Sequence, residues 1–551
     1  MTIDRADEAS YEEAIAGFSR QALEAALAGD LARGLNACVE CCDRHASPGR
    51  IALRWRSHDG REGELAFGEL EERSARFANV LVAHGVEPGN VVAGLMPRVP
   101  HLLTVILGAW RAGAVYQPLF TAFGPKAIEH RLAMSGTKLV VTDQANRPKL
   151  DEVDKAPPIA VVGPSRKGDL DFDGELARAS PLFEPVMRTG SDGFLMMSTS
   201  GTTGAPKGVL VPLEALLTFR VYMTDGIDLR PEDFFWNIAD PGWAYGLYYA
   251  VTGPLMLGCA TTFYDGPFTV ESAYRMIADT RITNLAGAPT AFRLLMAAGD
   301  EPAKAVKGQL RVVSSAGEPL NPEVIHWFEK ALGAPIKDHY GQTELGMVVN
   351  NHHRLKHPVH PGSAGLPMPG HRVVVLDRDG RELGPEQPGE LSIDMARSPL
   401  HFFRGYHQQP TPAISGGYYR TGDDFRQETD GRFTFIGRND DVITSAGYRI
   451  GPFEVESALI EHPAVGEAAA IGKPDPERTE IVKAFVVLRQ GYSASDALAE
   501  DLRRHVRKRL SAHAYPREIA FVDALPKTAS GKIQRFVLRE QERREGGRSP
   551  G

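Results

Sequence analysis

Short apolar runs separated by helix-length segments recur along most of the chain, and this alternation limits the fold more than any other feature. "VVAGLM" (Val91–Met96), "AVYQPL" (Ala114–Leu119) and "KLVVTD" (Lys138–Asp143) are too short for buried helices. They lack the polar alternation of a half-wet strand, so both faces are expected to be covered. Between and before them, residues 68–85 place Leu70, Phe77 and Leu81 near one helical face, and a helical stretch runs from His101 to Ala112. Residues 11–30 also read as an amphipathic helix. The pattern resumes in "ATTFYDG" (Ala260–Gly266), "TNLAGAP" (Thr283–Pro289) and "LRVVSSAGE" (Leu310–Glu318). Strands alternating with helices predict βαβ units around mostly parallel sheets, an α/β fold.

From Val373 the texture changes. "HRVVVLDRDGREL" and "GRFTFIG" read as hairpin strands around Asp-Gly turns. "GRNDDVITSAGYRIGP" (Gly437–Pro452) is polar and turn-rich, a plausible domain junction. Beyond it, helices near 453–461 and 494–510 alternate with "GEAAAIG", "IVKAFVVL" and "EIAFVDAL". The chain's 551 residues exceed what one core holds. The expectation is a large N-terminal domain, residues 1–438, of βαβ units with a smaller β-rich part, and a small α+β C-terminal domain, residues 439–551. The tail "REQERREGGRSPG" reads as disordered.

Composition excludes several classes. Lys+Arg 62 against Asp+Glu 70 gives a net charge of −8, without the basic footprint of a nucleic-acid binder. The acidic start is unlike a secretory signal, and no apolar run is long enough to span a bilayer. Four cysteines argue against a disulfide framework and point to a reducing cytoplasm. Cys38, Cys41 and Cys42 with His45 could suggest zinc, but the spacing fits a helix using cysteine as a small apolar residue. His352, His353, His357 and His360 sit among Pro and Gly and read as a solvated loop.

"STSGTTGAPKGV" (Ser198–Val209) has the ingredients of a phosphate cradle. Gly201 and Gly204 permit close backbone approach; Ser198, Thr199, Ser200, Thr202 and Thr203 offer hydroxyls; Lys207 adds a mobile charge. A Walker A loop needs Gly-Lys-[Ser/Thr], and here Lys207 precedes Gly208, so a P-loop fold is disfavoured.

The loop has companions in a fixed order: "SAGEPL" (Ser315–Leu320), "YGQTE" (Tyr340–Glu344), "YYRTGDD" (Tyr418–Asp424), "GRNDDVITSAGYRIGPFEVE" and "LPKTASGKIQR" (Leu525–Arg535). Over nearly the whole chain they resemble the adenylate-forming acyl-CoA synthetases, related to luciferases and peptide-synthetase adenylation domains. "YGQTE" and "GYRIGPFEVESALIEHPAV" look most like the medium-chain members. The resemblance implies attack of a carboxylate on the α-phosphate of ATP, release of pyrophosphate, and then capture of the acyl-adenylate by coenzyme A.

It implies roles residue by residue. The loop would wrap the β- and γ-phosphates, Thr343 would reach the α-phosphate, and Glu344 would hold Mg²⁺, which prefers carboxylate oxygen. Asp423 would bind both ribose hydroxyls, with Arg438 near the ribose and phosphate. Gly317, Glu318 and Pro319 would line the adenine with the backbone around Asp338, His339 and Tyr340; Gly341 and Gln342 complete that nucleotide set. Lys532 would neutralise charge on the transferring phosphate. The small C-terminal domain would be mobile, pivoting at Asp440, and would bring Gly447, Tyr448, Arg449 and Arg507 toward coenzyme A. "PKTASGK" resembles the stretch acetylated in bacterial relatives, so a protein acetyltransferase and deacetylase acting on Lys532 are candidate partners. The expected state is monomer or homodimer.

In acetate-specific relatives a tryptophan stands at Gly341 and a valine at Ala244. Both replacements here point to an acid larger than acetate, lying among Trp243, Ala244, Tyr245, Gly246 and Gly341. A medium-chain, branched or aromatic monocarboxylate is expected. The alternatives are a ligase that loads a carrier protein and a non-catalytic nucleotide-binding relative.

Overall fold

The computed structural model describes residues 9–47, 49–199, 206–445, 448–475, 478–510, 514–528 and 532–546, among which four sheets form. The first runs Leu170–Asp171, Ile159–Val162, Leu139–Asp143, Val91–Leu95, Val115–Pro118, Gly193–Thr199, Lys207–Pro212. Its neighbours are parallel except the last pair, an antiparallel hairpin. The second runs Leu366–Pro367, Gly346–Asn350, Ile336–Gln342, Val312–Ala316, Asn284–Gly287, Phe235–Asn237, Thr261–Tyr264, Ile51–Arg56, Glu62–Ala66. It is parallel through the middle, with an antiparallel partner at each end. The apolar runs of the sequence are these strands: Val91–Leu95 is buried at every position.

Helices cover the sheets as the periodicity predicts. Phe67–Ala83 buries Leu70, Phe77 and Leu81 completely, and Pro100–Arg111 lies against it. After Val373 the architecture is antiparallel: Val373–Leu376, Pro388–Asp394, Tyr418–Gln427 and Phe433–Arg438 pair in turn. "RDGREL" supplies the turn, but the true partner of Val373–Leu376 is Pro388–Asp394 rather than the adjacent residues. Beyond Asp440, Val465–Asp475 and Thr479–Leu488 form a long hairpin, with helices Pro452–Ile460, Asp496–Arg509 and Arg535–Gly546.

Three expectations need correction. Residues 11–30 form two short helices, Tyr11–Ala16 and Arg20–Ala25, because Gly17 closes the first and the Ser19 hydroxyl caps the second. The charged tail is helical as far as Gly546, in the helix Arg535–Gly546, and residues 547–551 lie outside the described residues. Arg535 pairs with Glu456, Arg539 with Asp441, and Glu542 with Lys473 and Lys483, which ties down one side of the helix, while Glu540, Arg543 and Arg544 are exposed. The histidine segment is not a solvated loop at its start. His352 is fully buried beside the rings of Tyr11 and His357, at 5.8 and 5.7 Å, and burial holds its pKa well below the usual value. The N-terminal segment covers it, with the Tyr11 N–H donating to the Lys356 carbonyl.

The cysteine reading holds. Ala37–Cys41 is helical, and Cys38, Cys41 and Cys42 are all fully buried. Cys41→Ser places a hydroxyl in that core and is expected to cost about 1–3 kcal/mol. A chelator should leave the wild-type melting curve unchanged; a chelator-dependent drop would restore the zinc reading.

Candidate active site

The hairpin Ile336–Gln342/Gly346–Asn350 sets the site. Its first strand carries Asp338, His339, Tyr340, Gly341 and Gln342, and the turn between the strands carries Thr343 and Glu344. Across from it, Asp423 lies on Tyr418–Gln427, registered against Arg438 at the end of Phe433–Arg438.

Asp423 is 6% exposed, so its carboxylate needs partners. The Tyr340 hydroxyl donates to Oδ2 at 2.7 Å and the Gln342 amide at 2.9 Å, while Arg438 Nη1 stands 3.9 Å from Oδ1. The Tyr419 hydroxyl in turn fixes the Gln342 carbonyl at 2.9 Å. Burial pushes the Asp423 pKa up; Arg438, Tyr340, Gln342 and Lys532 oppose it. Tyr340 and Gln342 thus act as supports of the carboxylate.

Lys532 comes from the C-terminal region to the same place. Its N–H donates to the Thr528 hydroxyl at 3.0 Å, and Thr528 N–H returns a bond to its carbonyl at 2.8 Å, closing a tight loop. The residue is exposed. Desolvation beside the neighbouring groups lowers its pKa, Glu318 and Asp423 act to raise it, and Arg438 acts to lower it. Glu318 is held by the Thr290 hydroxyl and by Arg293, both at 2.8 Å. Gly317 has φ +96° and open space where a Cβ would stand.

Asp338 Oδ1 is buried without a hydrogen-bond partner, and burial pushes that carboxyl well above its ordinary range. His339 is 2% exposed, with both ring nitrogens engaged, by the Tyr222 hydroxyl at 2.7 Å and the Asn351 carbonyl at 3.2 Å. Nε2 must donate to that carbonyl, so neutral Nδ1 accepts from Tyr222, which accepts in turn from Tyr245 at 3.2 Å. Only the backbone of His339 is left for a ligand.

Glu344 is 6% exposed and accepts from the Tyr406 hydroxyl at 2.9 Å. Burial raises its pKa, and Tyr406 and Lys207 act to lower it. Among the described residues no group of three or more His, Cys, Asp or Glu stands ready to cage a metal. A lone carboxylate still fits Mg²⁺, which takes one or two carboxylates and completes its shell with phosphate and water.

Trp243 packs against Phe120 and Phe123 at 5.5 and 5.4 Å, next to half-buried Ala244 and Tyr245. Two glycines differ from expectation. A Cβ at Gly341 would stand 2.0 Å from the Gly346 carbonyl oxygen, and one at Gly246 would stand 2.1 Å from that of Asp240. The missing side chain of Gly341 therefore answers the neighbouring strand and is not open pocket volume.

Thr199 and Lys207 pair across the hairpin that flanks the phosphate loop. Ser200, Gly201, Thr202, Thr203, Gly204 and Gly447 lie outside the described residues, as do the side chains of Tyr448 and Arg449. Arg507 stacks over Tyr515 at 5.6 Å in the C-terminal region. Sequence reasoning missed Tyr406, Tyr222, Thr290 and Arg293. Tyr419 lay inside a quoted motif without a role.

A buried carboxylate on an antiparallel sheet, facing a lysine from the C-terminal region and standing across from the hairpin that edges a mostly parallel sheet, defines an adenylate-forming type of enzyme. The chain belongs to the AMP-binding enzyme family, whose main domain matches residues 42–407 and whose C-terminal domain matches residues 454–532. It is 42% identical over 527 residues to the acetyl-coenzyme A synthetase of Bacillus subtilis, covering 92% of this chain and 91% of that one. It is 36% identical over 505 residues to the mitochondrial acyl-coenzyme A synthetase ACSM3 of Rattus norvegicus, covering 89% and 86%. A crystal structure of an acyl-CoA synthetase from Brucella canis superposes with TM-score 0.80 at 61% identity, covering 98% and 100% of the two chains. The chain is thus an AMP-forming CoA ligase of the acyl-CoA synthetase branch. No helix among the described residues is long and apolar enough to cross a membrane.

Proposed function

We propose that the chain activates a monocarboxylic acid larger than acetate as its acyl-adenylate, releasing pyrophosphate, and passes the acyl group to coenzyme A. The observation that carries the adenylation half is Lys532, brought within electrostatic reach of Glu318 and buried Asp423. Asp423, its Oδ2 held by Tyr340 and Gln342, is oriented to accept from the ribose hydroxyls. The orphaned Asp338 Oδ1 suits an N–H donor such as the adenine amino group. Glu344 would hold Mg²⁺ against the phosphates, beside the loop that ends in Lys207, with Thr343 at the α-phosphate. Positioning and charge neutralisation are the chemistry these residues supply.

The pivot reading at Asp440 rests on which side each neighbour is tied. Asn439 N–H donates to the Gly422 carbonyl at 2.9 Å, on the N-terminal side. The carboxylate of Asp441 pairs with Arg535 and Arg539 of the final helix, while its N–H donates to the Arg438 carbonyl at 2.9 Å. Asp440 lies where the two anchorages meet and is exposed, its carboxylate accepting only from Arg438 at 3.2 Å among the bonds described, so its dihedrals can change at little packing cost. Domains 1–438 and 439–551 follow from that pivot. Gly447, Tyr448, Arg449 and Arg507 would serve the coenzyme A step after it turns.

The size of the acid rests on Ala244 and the aromatic surround of Trp243 and Tyr245; Gly341 does not carry it. The Bacillus relative's name makes acetate the competing outcome. Each added methylene buried in an apolar slot contributes about 0.8 kcal/mol, about fourfold in kcat/KM. Pyrophosphate release with coenzyme A present, across acetate, butyrate, hexanoate, octanoate and benzoate, is expected to rise beyond acetate. Activity confined to acetate would overturn the size assignment while leaving the ligase reading intact.

A further inference from the structure

We propose that Tyr406 is a positioning residue that keeps Lys207 and Glu344 from pairing with each other, so that both stay available to a magnesium–nucleotide. The inference rests on the reading that Lys207 meets the polyphosphate and Glu344 the metal.

Lysine and carboxylate are of opposite charge type, and both groups touch the same tyrosine. A carboxylate and an ammonium left together in a poorly hydrated site would form an ion pair, and breaking it would oppose ligand binding. Tyr406 separates them by using both halves of its side chain. The Lys207 ammonium stands over the ring, 4.6 Å from its centroid, a cation–π contact. The hydroxyl donates to Glu344 Oε1 at 2.9 Å. Each charge is thereby held by a neutral group that a phosphate or a cation can displace from it, or simply add to.

The tyrosine is fixed well enough to act as a spacer. Its ring meets Phe403 edge-on at 5.2 Å, and its N–H donates to the Thr411 hydroxyl at 2.7 Å. The next residue, His407, donates its N–H to the Gly208 carbonyl at 2.8 Å, beside Lys207 itself. The segment is therefore stapled to the strand that leaves the phosphate loop. Lys207 keeps its N–H donors, and Glu344 keeps acceptor capacity for a hard cation.

The test measures binding of Mg·ATP by calorimetry on the full chain, without acid or coenzyme A, in a double-mutant cycle. Tyr406→Leu is expected to weaken Mg·ATP binding about tenfold, equivalent to about 1.4 kcal/mol. In a Lys207→Met background the same substitution should cost less than about threefold, because Glu344 then has no cation to collapse onto. Equal losses in both backgrounds would overturn the proposal, since tyrosine would then be contributing only packing or a direct ligand contact. Tyr406→Phe keeps the ring and its lysine but frees Glu344. It should shift the magnesium concentration needed for half-maximal nucleotide binding and leave magnesium-free ATP affinity unchanged; no shift in magnesium requirement would overturn the role of the hydroxyl. If Lys207→Met and Glu344→Gln both bind Mg·ATP as the wild type does, the underlying site reading fails and the proposal with it.

Discussion

Lys532→Ala should lower the rate of adenylation, read as acid-dependent pyrophosphate release, by about 10²–10³-fold. Thioester formation from supplied acyl-adenylate should stay within about twofold, because the proposed pivot at Asp440 withdraws the lysine before coenzyme A attacks and AMP leaves. The lysine comes from the C-terminal region, where its backbone is bonded to Thr528 and its ammonium is attracted by Glu318 and Asp423. Equal loss of both half-reactions would sink the assignment. Desolvation lowers the Lys532 pKa, and the cationic form is the useful one. Adenylation should therefore fall as pH rises through a value below the ordinary lysine range, and Lys532→Ala should lack that alkaline limb. Acetylation of the same amine would remove the charge at every pH and should mimic the alanine variant.

Much of this site was legible because its chemistry sits in contiguous, glycine-rich or carboxylate-bearing runs. "YGQTE" is one strand end and its turn, "TGDD" one strand, and "KTASGK" six consecutive residues whose described ends, Thr528 and Lys532, bond each other. Each keeps its residues together whatever the tertiary packing. The rest depends on pairs far apart in the chain. Tyr406 reaches Glu344 across 62 positions and Tyr222 reaches His339 across 117. Nothing in the neighbourhood of either tyrosine marks the partner. The final helix shows the same limit from the other side: its charged sequence reads as disordered because Asp441, Lys473 and Lys483, which pair with Arg539 and Glu542, lie elsewhere in the chain. Period and apolar content found the parallel sheets because a strand covered on both faces is locally apolar by necessity. Buried His352 lacked such a signal, since Tyr11 of the N-terminal segment and the Pro367 carbonyl, which pack around it, are distant in the chain.

Gly341→Ala should destabilise the protein by about 1–3 kcal/mol and weaken nucleotide binding for every acid alike. The added methyl would lie 2.0 Å from the Gly346 carbonyl oxygen and 2.7 Å from Met347 Cα, both backbone atoms that no rotamer can move. The hairpin would have to open at the point where its register already shifts, between Tyr340 and Gly341. Tyr340 and Gln342 hold Asp423 from that strand, and Thr343 and Glu344 sit on the turn beyond it, so the displacement reaches the Asp423 and Glu344 carboxylates together. Ala244→Val offers the contrast. It enlarges a half-buried residue that already carries a Cβ, at the start of the short helix Ala244–Gly246. It should leave the melting temperature close to wild type and lower kcat/KM for octanoate relative to acetate by about tenfold or more. Melting curves and a two-acid comparison on both variants separate the two accounts of Gly341. An alanine there that melts like the wild type and discriminates only against long acids would return the residue to the pocket wall.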